Sequence, residues 1–480
     1  MKKVVLVNVS KGFAKELMPL GLASIATYLR QHDPSVDIRI LDANCQDIYN
    51  SFTDGDLVGI GAVTQDIHRA VHYAEFVRGR SKAKLILGGV HVSTHRTLPE
   101  PFDIGVIGEG EATMLELSSL AQFSPVDLKN VKGICYKDNG VLVFTEARNL
   151  IHPLDLLPIP DRDFFDIGYY MNRVQIIPYH TGISLTILTS RGCPFKCVFC
   201  STSVHWRKFR SFSAERVIEE IELLSRKYNA EIVHIFDDLF IADRKRFLKI
   251  HKLIVGKGLN KIKYMCLVRS DLLDDSMMQM LKEMNVVVTG IGMESGSDRM
   301  IKYLKKDTSS LEENVRAIEL STKYKIPTMG SFMIGSPHET EDDLRQTLEF
   351  IQRFRRNPYF SPLVYVAAAF PGTELWSYAK SKGINVEDYD KIVMDLPGRK
   401  EDLIGAPILS SLPLDVFYEY ILQFKKESNY GHVRTIFYQN GRMYQKAIAY
   451  LKAIYVEGGI IPGFDGIREI KRALYSPSSA

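Results

Sequence analysis

The sequence predicts an α/β protein: two successive parallel-sheet units, then a helical C-terminal region. Three observations carry this expectation. Short, wholly apolar runs alternate with helix-period segments over the first ~115 residues. The same alternation resumes at Ser184 and makes six strand–helix units in about 200 residues. Beyond residue 385 the apolar runs stop and tyrosines accumulate. Strands apolar along their whole length belong to parallel sheets covered on both faces.

The elements follow in order. "KVVLVNV" is the first strand, and Leu22, Ile25 and Leu29 mark one face of the helix after it. "DIRILDA", "LVGIGAV", "KLILGG" and "DIGVIGEGE" supply four more strands. Ligands bind in the loops at the carboxyl ends of such strands. Those loops are Val9–Gly21, Thr64–Ile67, Gly88–Ser93 and Gly108–Glu111. "GICYKDNGVLVFTE" reads as a hairpin turning at Asn139-Gly140. The prolines at 153, 158 and 160 make the stretch after it an ordered linker.

In the second series "SLTILTS" feeds directly into "RGCPFKCVFCS". Ser213 is placed to cap a helix whose Val217, Ile218, Ile221 and Leu224 share one face. "EIVHIFDD", "IKYMCLVR", "VVVTGIGMES", "IPTMGSFMIG" and "SPLVYVAAAF" are the remaining strands, with helices near 243–256 and 273–284. Further helices start at Ser309, with Glu312 three residues on, and at Thr340. Six such units suit a partial barrel or an open sheet. The implied divisions are 1–125, 126–180, 181–384 and 385–480.

A chain of 480 residues exceeds one ordinary core, and its 45% hydrophobic content excludes general disorder. A net charge of +4 gives no reason to expect a nucleic-acid partner. No apolar run is long enough for a transmembrane helix, and "MKKVVLVNVSKGF" is too short for a signal peptide. A cytoplasmic protein with reduced thiols is the expectation.

Half of the six cysteines, Cys193, Cys197 and Cys200, fall within eight residues at a strand end. In a reduced compartment clustered cysteines point to metal. Three thiolates can hold three irons of a 4Fe–4S cluster, leaving the fourth iron open. The plainer alternative is a Cys3His zinc site completed by His205.

This loop, with Phe199 before its last cysteine, resembles that of the radical S-adenosylmethionine (SAM) enzymes. The likeness continues through "HIFDDLF", "IGMESGSDRMIKYLKK", "SFMIGSPHETEDD" and "FPGTELW". The first ~115 residues resemble the cobalamin-binding domain often fused in front. The resemblance implies a Rossmann-like cobalamin-binding domain, a partial (β/α)6 TIM-type barrel and a helical C-terminal region. It implies that Cys193, Cys197 and Cys200 hold the cluster while the amino and carboxylate groups of SAM chelate the fourth iron. Asp237 and Asp238 would meet the ammonium of SAM, Arg269 its carboxylate and Glu294 its ribose. Thr64, Gly88, Gly89, Gly108 and Glu109 would line the site of the cobalamin tail.

Each assignment has a plainer reading. One of the aspartates serves as a helix N-cap, Arg269 as a salt-bridge partner, and His91 and His338 as loop histidines. Pro371-Gly372 and Thr373 read as a turn and a cap. "VNVSKGFAKELMPLG" lacks the histidine that ligates cobalt from below in the usual pattern. A first domain that keeps its fold without cobalamin is the corresponding alternative.

The implied activity is cobalamin-dependent methyl transfer to an unactivated carbon, by way of a 5′-deoxyadenosyl radical. A small molecule, lipid or peptide is the expected substrate, and ferredoxin or flavodoxin the expected electron donor. A cyclase, oxygenating or rearrangement enzyme that transfers no methyl group is the runner-up. A methylthiotransferase would need further cluster cysteines, and Cys45 and Cys135 are isolated. A non-catalytic cofactor-binding regulator is the alternative of another class.

Overall fold

The computed structural model describes residues 2–10, 17–171, 182–206 and 208–439. Seven strands form the first sheet: β1 (Lys3–Asn8), β2 (Asp37–Asp42), β3 (Leu57–Gly61), β4 (Lys84–Gly88), β5 (Ile104–Val106), β6 (Ile134–Asp138) and β7 (Val141–Phe144). Their spatial order is β2-β1-β3-β4-β5-β6-β7, parallel through β5 and antiparallel after it. Strand order reverses at β1 and β3, where an open α/β sheet leaves a crevice at its carboxyl edge. Register brings the strand ends level there: Asn8 lies beside Asp42 and Gly61, and Gly61 beside Gly88. Val5, Val7, Val58 and Leu85 pack into one buried layer and Val4, Leu6, Leu57 and Ile86 into the other. Both faces are thus covered, as the wholly apolar strands require.

The turn at Asn139-Gly140 forms with φ of 48° and 82°. Its strands belong to the first sheet, so that sheet extends past the division expected at residue 125. The reason is the edge of β5, which β6 covers by antiparallel pairing.

Six parallel strands make the second sheet: β8 (Ser184–Ile187), β11 (Ile232–Ile235), β12 (Lys263–Val268), β13 (Val286–Glu294), β14 (Thr328–Ile334) and β15 (Phe360–Val366). They lie in sequence order, and β8 and β15 do not pair with each other, so the barrel is partial. Between β8 and β11 a two-stranded antiparallel ribbon, β9 (Ser190–Arg191) and β10 (Arg210–Ser211), brackets the cysteine loop.

Local chemistry starts the helices. Ser213, Thr340 and Thr373 accept from the backbone N–H of Arg216, Asp343 and Trp376 respectively. The cap expected at Ser309 lies one residue later, where Ser310 and Glu313 form the capping box. Ser309 is buried instead, its hydroxyl 3.3 Å from that of Ser270.

Among the described residues the C-terminal region is helical from Leu414 onward. Residues 385–413 are largely irregular, with two short turns at Tyr389–Lys391 and Lys400–Leu403. Pro397, Gly398, Pro407 and Pro413 interrupt any longer helix there. A long helix, Leu414–Gln439, then follows. It buries Phe417, Ile421 and Phe424 against the barrel. Tyr444, Tyr450 and Tyr455 lie outside the described residues.

Candidate active site at the junction of the two units

The cysteine loop is fixed from below before it is chemically useful. Asp237, at the end of β11, is fully buried. Its carboxylate accepts from the backbone N–H of Thr189 at 2.6 Å and of Ser190 at 3.1 Å. It also accepts from both of their hydroxyls. These four bonds occupy Asp237 in holding the strand end that enters the loop, which differs from its expected contact with SAM. Gly192 then turns the chain with φ of 85°, where a Cβ would lie 2.6 Å from the Lys208 carbonyl oxygen.

Cys193, Cys197 and Cys200 are free, half-buried thiols. Burial pushes all three up, Cys193 to about 11, and Cys193 and Cys197 each also feel Cys200 electrostatically. Among the described residues no three His, Cys, Asp or Glu side chains converge to hold one metal ion. A zinc ion would need such convergence, whereas a 4Fe–4S cluster takes one thiolate per iron. The donor set fits the cluster. Cys45 follows β2 and Cys135 lies in β6, at opposite flanks of the first sheet, so neither extends the trio.

Around the thiols stand groups with the chemistry a SAM zwitterion needs. Asp238 accepts from the Thr202 hydroxyl at 2.9 Å, and burial pushes its carboxyl up. Arg269 is held four ways. Its Nε donates to Asp271 at 2.8 Å, and its Nη2 donates to the Thr308 carbonyl at 3.1 Å. Its Nη1 lies 3.6 Å from the Cys197 sulfur, and its guanidinium covers the Phe195 ring at 3.6 Å. It therefore braces the loop, beyond the carboxylate contact expected of it.

Glu294 ends β13 with φ of 65°, a conformation rare for a side-chain-bearing residue. It folds back so that a Cβ on Gly292 would meet its Oε1 at 2.3 Å. Burial pushes its carboxyl up, and Lys305 opposes this from 3.9 Å. Lys305 is itself buried and donates to the Gly292 carbonyl. Sequence reasoning missed it, because "IKYLKK" looks like a solvated helix face.

The first sheet opens a crevice of about 320 Å³ at the carboxyl ends of β1 and β3. Leu6, Gly59, Ile86 and Met114 line its depth, and Arg191, His205 and Trp206 of the barrel unit close it. A Cβ on Gly88 or Gly108 would meet nothing within 4 Å, so these glycines leave room for a ligand. The lining suits a largely apolar tail buried beneath a wide ring. Gly89 acts differently: at φ of 98° its Cβ would lie 2.6 Å from the Ala62 carbonyl oxygen, so it serves close packing.

Thr64 is buried and 3.3 Å from His91 Nδ1, and neither residue lines the crevice. His91 instead stacks on His95 at 5.2 Å and meets the edge of Tyr389. Burial pulls it down to about 4, a neutral imidazole. The loop after β1 lies partly outside the described residues.

Glu109 departs from its expected role in tail binding. It lines the crevice, but its carboxylate accepts from Arg191, from Arg210 at 3.1 Å and from the Ile151 N–H at 2.9 Å. Glu111 accepts from Arg191 at 2.6 Å and from Ser24 at 2.6 Å. Burial pushes Glu111 up, but Arg191 and Ser24 more than offset this and hold its carboxyl below the ordinary value.

Residues 187–351 match the Radical SAM superfamily and residues 7–118 the B12 binding domain. An uncharacterized methyltransferase of Pyrococcus horikoshii is 29% identical over 454 residues, 92% of this chain and 94% of the relative. The anaerobic magnesium-protoporphyrin IX monomethyl ester cyclase of Rubrivivax gelatinosus is 26% identical over 400 residues, 80% of this chain and 70% of the relative. Among solved structures, the radical SAM methyltransferase TsrM from Kitasatospora setae, with cobalamin and a 4Fe–4S cluster bound, gives a TM-score of 0.64 at 18% identity. It covers 80% of this chain and 76% of that one. OxsB, a cobalamin-dependent SAM radical enzyme with aqua-cobalamin bound, gives 0.61 at 19%, covering 82% and 57%. The two structures show the shared fold.

The chain is thus a radical SAM enzyme. More particularly, it is one with a B12-binding domain in front of its radical SAM domain. These domains imply a 4Fe–4S cluster, SAM and cobalamin as cofactors. No helix among the described residues is long and apolar enough to cross a membrane.

Proposed function

We propose that the protein is a cytoplasmic, cobalamin-dependent methyltransferase acting at an unactivated carbon of a small-molecule, lipid or peptide substrate, with ferredoxin or flavodoxin as electron donor. One observation carries this reading: the crevice of the first sheet is closed by Arg191, His205 and Trp206, which flank the cysteine loop. Methyl donor and radical source would then face a shared space. When bound, the cluster, SAM and cobalamin supply an electron, a 5′-deoxyadenosyl radical and a methyl group.

The chain's residues bind and orient. Cys193, Cys197 and Cys200 would hold the cluster, and Asp238 would accept from the SAM ammonium. Arg269 would add charge compensation beside Cys197, and Glu294, held by Lys305, would accept from the ribose hydroxyls. Asp237 would keep the loop in place. Gly88 and Gly108 would admit the cobalamin tail. The helix Leu414–Gln439 would help keep water from the barrel. The working limits are 1–125 for the cobalamin domain with the hairpin β6–β7 attached, 181–384 for the barrel and 385–480 for the C-terminal region.

Likeness to the Rubrivivax gelatinosus cyclase supports a second reading, radical chemistry without methyl transfer. Anaerobic incubation of the reduced protein with SAM, with and without cobalamin, separates the two. Methyl transfer predicts deoxyadenosine and S-adenosylhomocysteine in the presence of candidate substrate. Deoxyadenosine without S-adenosylhomocysteine favours the second reading, and absence of both products counts against catalysis.

A further inference from the structure

The contact between the two units has two chemically different halves. One is apolar: Val198, Leu304, Leu375, Trp376 and Tyr389 join the buried layer on one face of the first sheet. The other is ionic and buried. Arg191 gives one guanidinium nitrogen to Glu109 and the other to Glu111, the residues on either side of Gly110. Arg210, opposite Arg191 in the β9–β10 ribbon, holds Glu109 from the far side and donates to the Ile151 carbonyl at 2.7 Å. Ser24 completes Glu111. Two cations face two anions, and all four side chains are at most a tenth exposed.

Such a group is a poor source of net stability, since desolvation offsets the attraction. The apolar half supplies hydrophobic burial at the contact. The ionic half supplies orientation: a planar fork bonded to two separate carboxylates fixes rotation as well as distance. Its position gives that orientation a purpose. Arg191 is two residues before Cys193, and Glu109, Gly110 and Glu111 line the crevice.

We propose that Arg191 is a positioning residue that sets how the cysteine loop faces the cobalamin crevice, with Glu109 and Glu111 as its anchors. The proposal rests on the reading that the cluster and cobalamin occupy these two sites. A lysine at this position keeps the charge but cannot hold both carboxylates in the same fork geometry. The loop then turns relative to the crevice while the apolar half stays docked.

The test uses full-length protein loaded with both cofactors and reduced until the cluster and cob(II)alamin are both paramagnetic. Their magnetic interaction, which falls with the cube of their separation, is read as broadening in the electron paramagnetic resonance spectrum. Arg191→Lys is expected to fold, bind both cofactors in full, melt below the parent and lose the parent's broadening pattern. Glu111→Gln, which keeps the bond to Glu109, is expected to shift the pattern in the same sense and serves if Arg191→Lys fails to fold. Arg30→Lys, at an exposed pair with Asp161, should leave it unchanged. Parent-like broadening in the folded, fully loaded variants overturns the proposal and leaves the functional reading intact. A parent protein that binds neither cofactor overturns that reading and this inference with it.

Discussion

Replacing Asp237 by alanine should release the cysteine loop before it affects any ligand. The carboxylate is fully buried and accepts two backbone N–H groups and two hydroxyls. The hydroxyls of Thr189 and Ser190 can turn toward other acceptors, but the two amides cannot. Each buried donor left unpaired costs about 1–3 kcal/mol, so the expected loss is roughly 2–6 kcal/mol. Asp237→Asn keeps one oxygen for the amides and should lose less, about 1–3 kcal/mol. Hydrogen exchange at Thr189 and Ser190, the urea midpoint and iron content after reconstitution report the effect. Alanine should raise exchange, lower the midpoint and reduce iron loading. SAM affinity in whatever fraction of Asp237→Asn does load should match the parent. Unchanged protection and full iron loading in Asp237→Ala, with weakened SAM binding, would refute the assignment and make Asp237 a ligand.

Four further outcomes are expected. Burial pushes Glu339 up to about 8, although its Oε2 accepts from the N–H groups of Gly335 and Ser336. The folded state therefore favours the protonated form, so this contribution is complete below the unfolded value of about 4.3 and is lost as pH rises to about 8, by at most about 1.4 kcal/mol per pH unit. Glu339→Gln should flatten the urea midpoint across that window. His234 is buried with both ring nitrogens unbonded among the described residues, and burial pulls it down to about 4. Its contribution is complete above the unfolded value of about 6.5 and is lost as pH falls toward about 4. His234→Leu should thus resist acid better than the parent in urea titrations at about pH 5. Gly88→Val should abolish the spectral change on cobalamin titration without lowering the melting temperature, because its side chain enters open space. Gly89→Ala should instead destabilise by about 1–3 kcal/mol through backbone strain and contact with Ala62.

What the sequence made legible was local. The cysteine spacing lies within one loop, and the strands declare themselves as apolar runs, so the sheets and the cluster loop are readable. Adjacent Asp237 and Asp238 look interchangeable in "FDD", and only the turn at the strand end decides which is buried under the loop. The bonds of Arg191 to Glu109 and Glu111 span 82 and 80 residues. No local pattern announces a pair that forms only when two units dock. Lys305 shows the same limit, since its burial comes from packing beside Glu294. In the C-terminal region composition points to the helix but says little about where proline and glycine delay its start.

The central claim is that Cys193, Cys197 and Cys200 hold a cluster whose fourth iron binds SAM. Electron paramagnetic resonance of the reconstituted, reduced protein before and after SAM addition tests it most directly. The account predicts a 4Fe–4S signal that shifts on adding SAM and is absent from Cys197→Ala. A signal indifferent to SAM, or one that survives in Cys197→Ala, would contradict it.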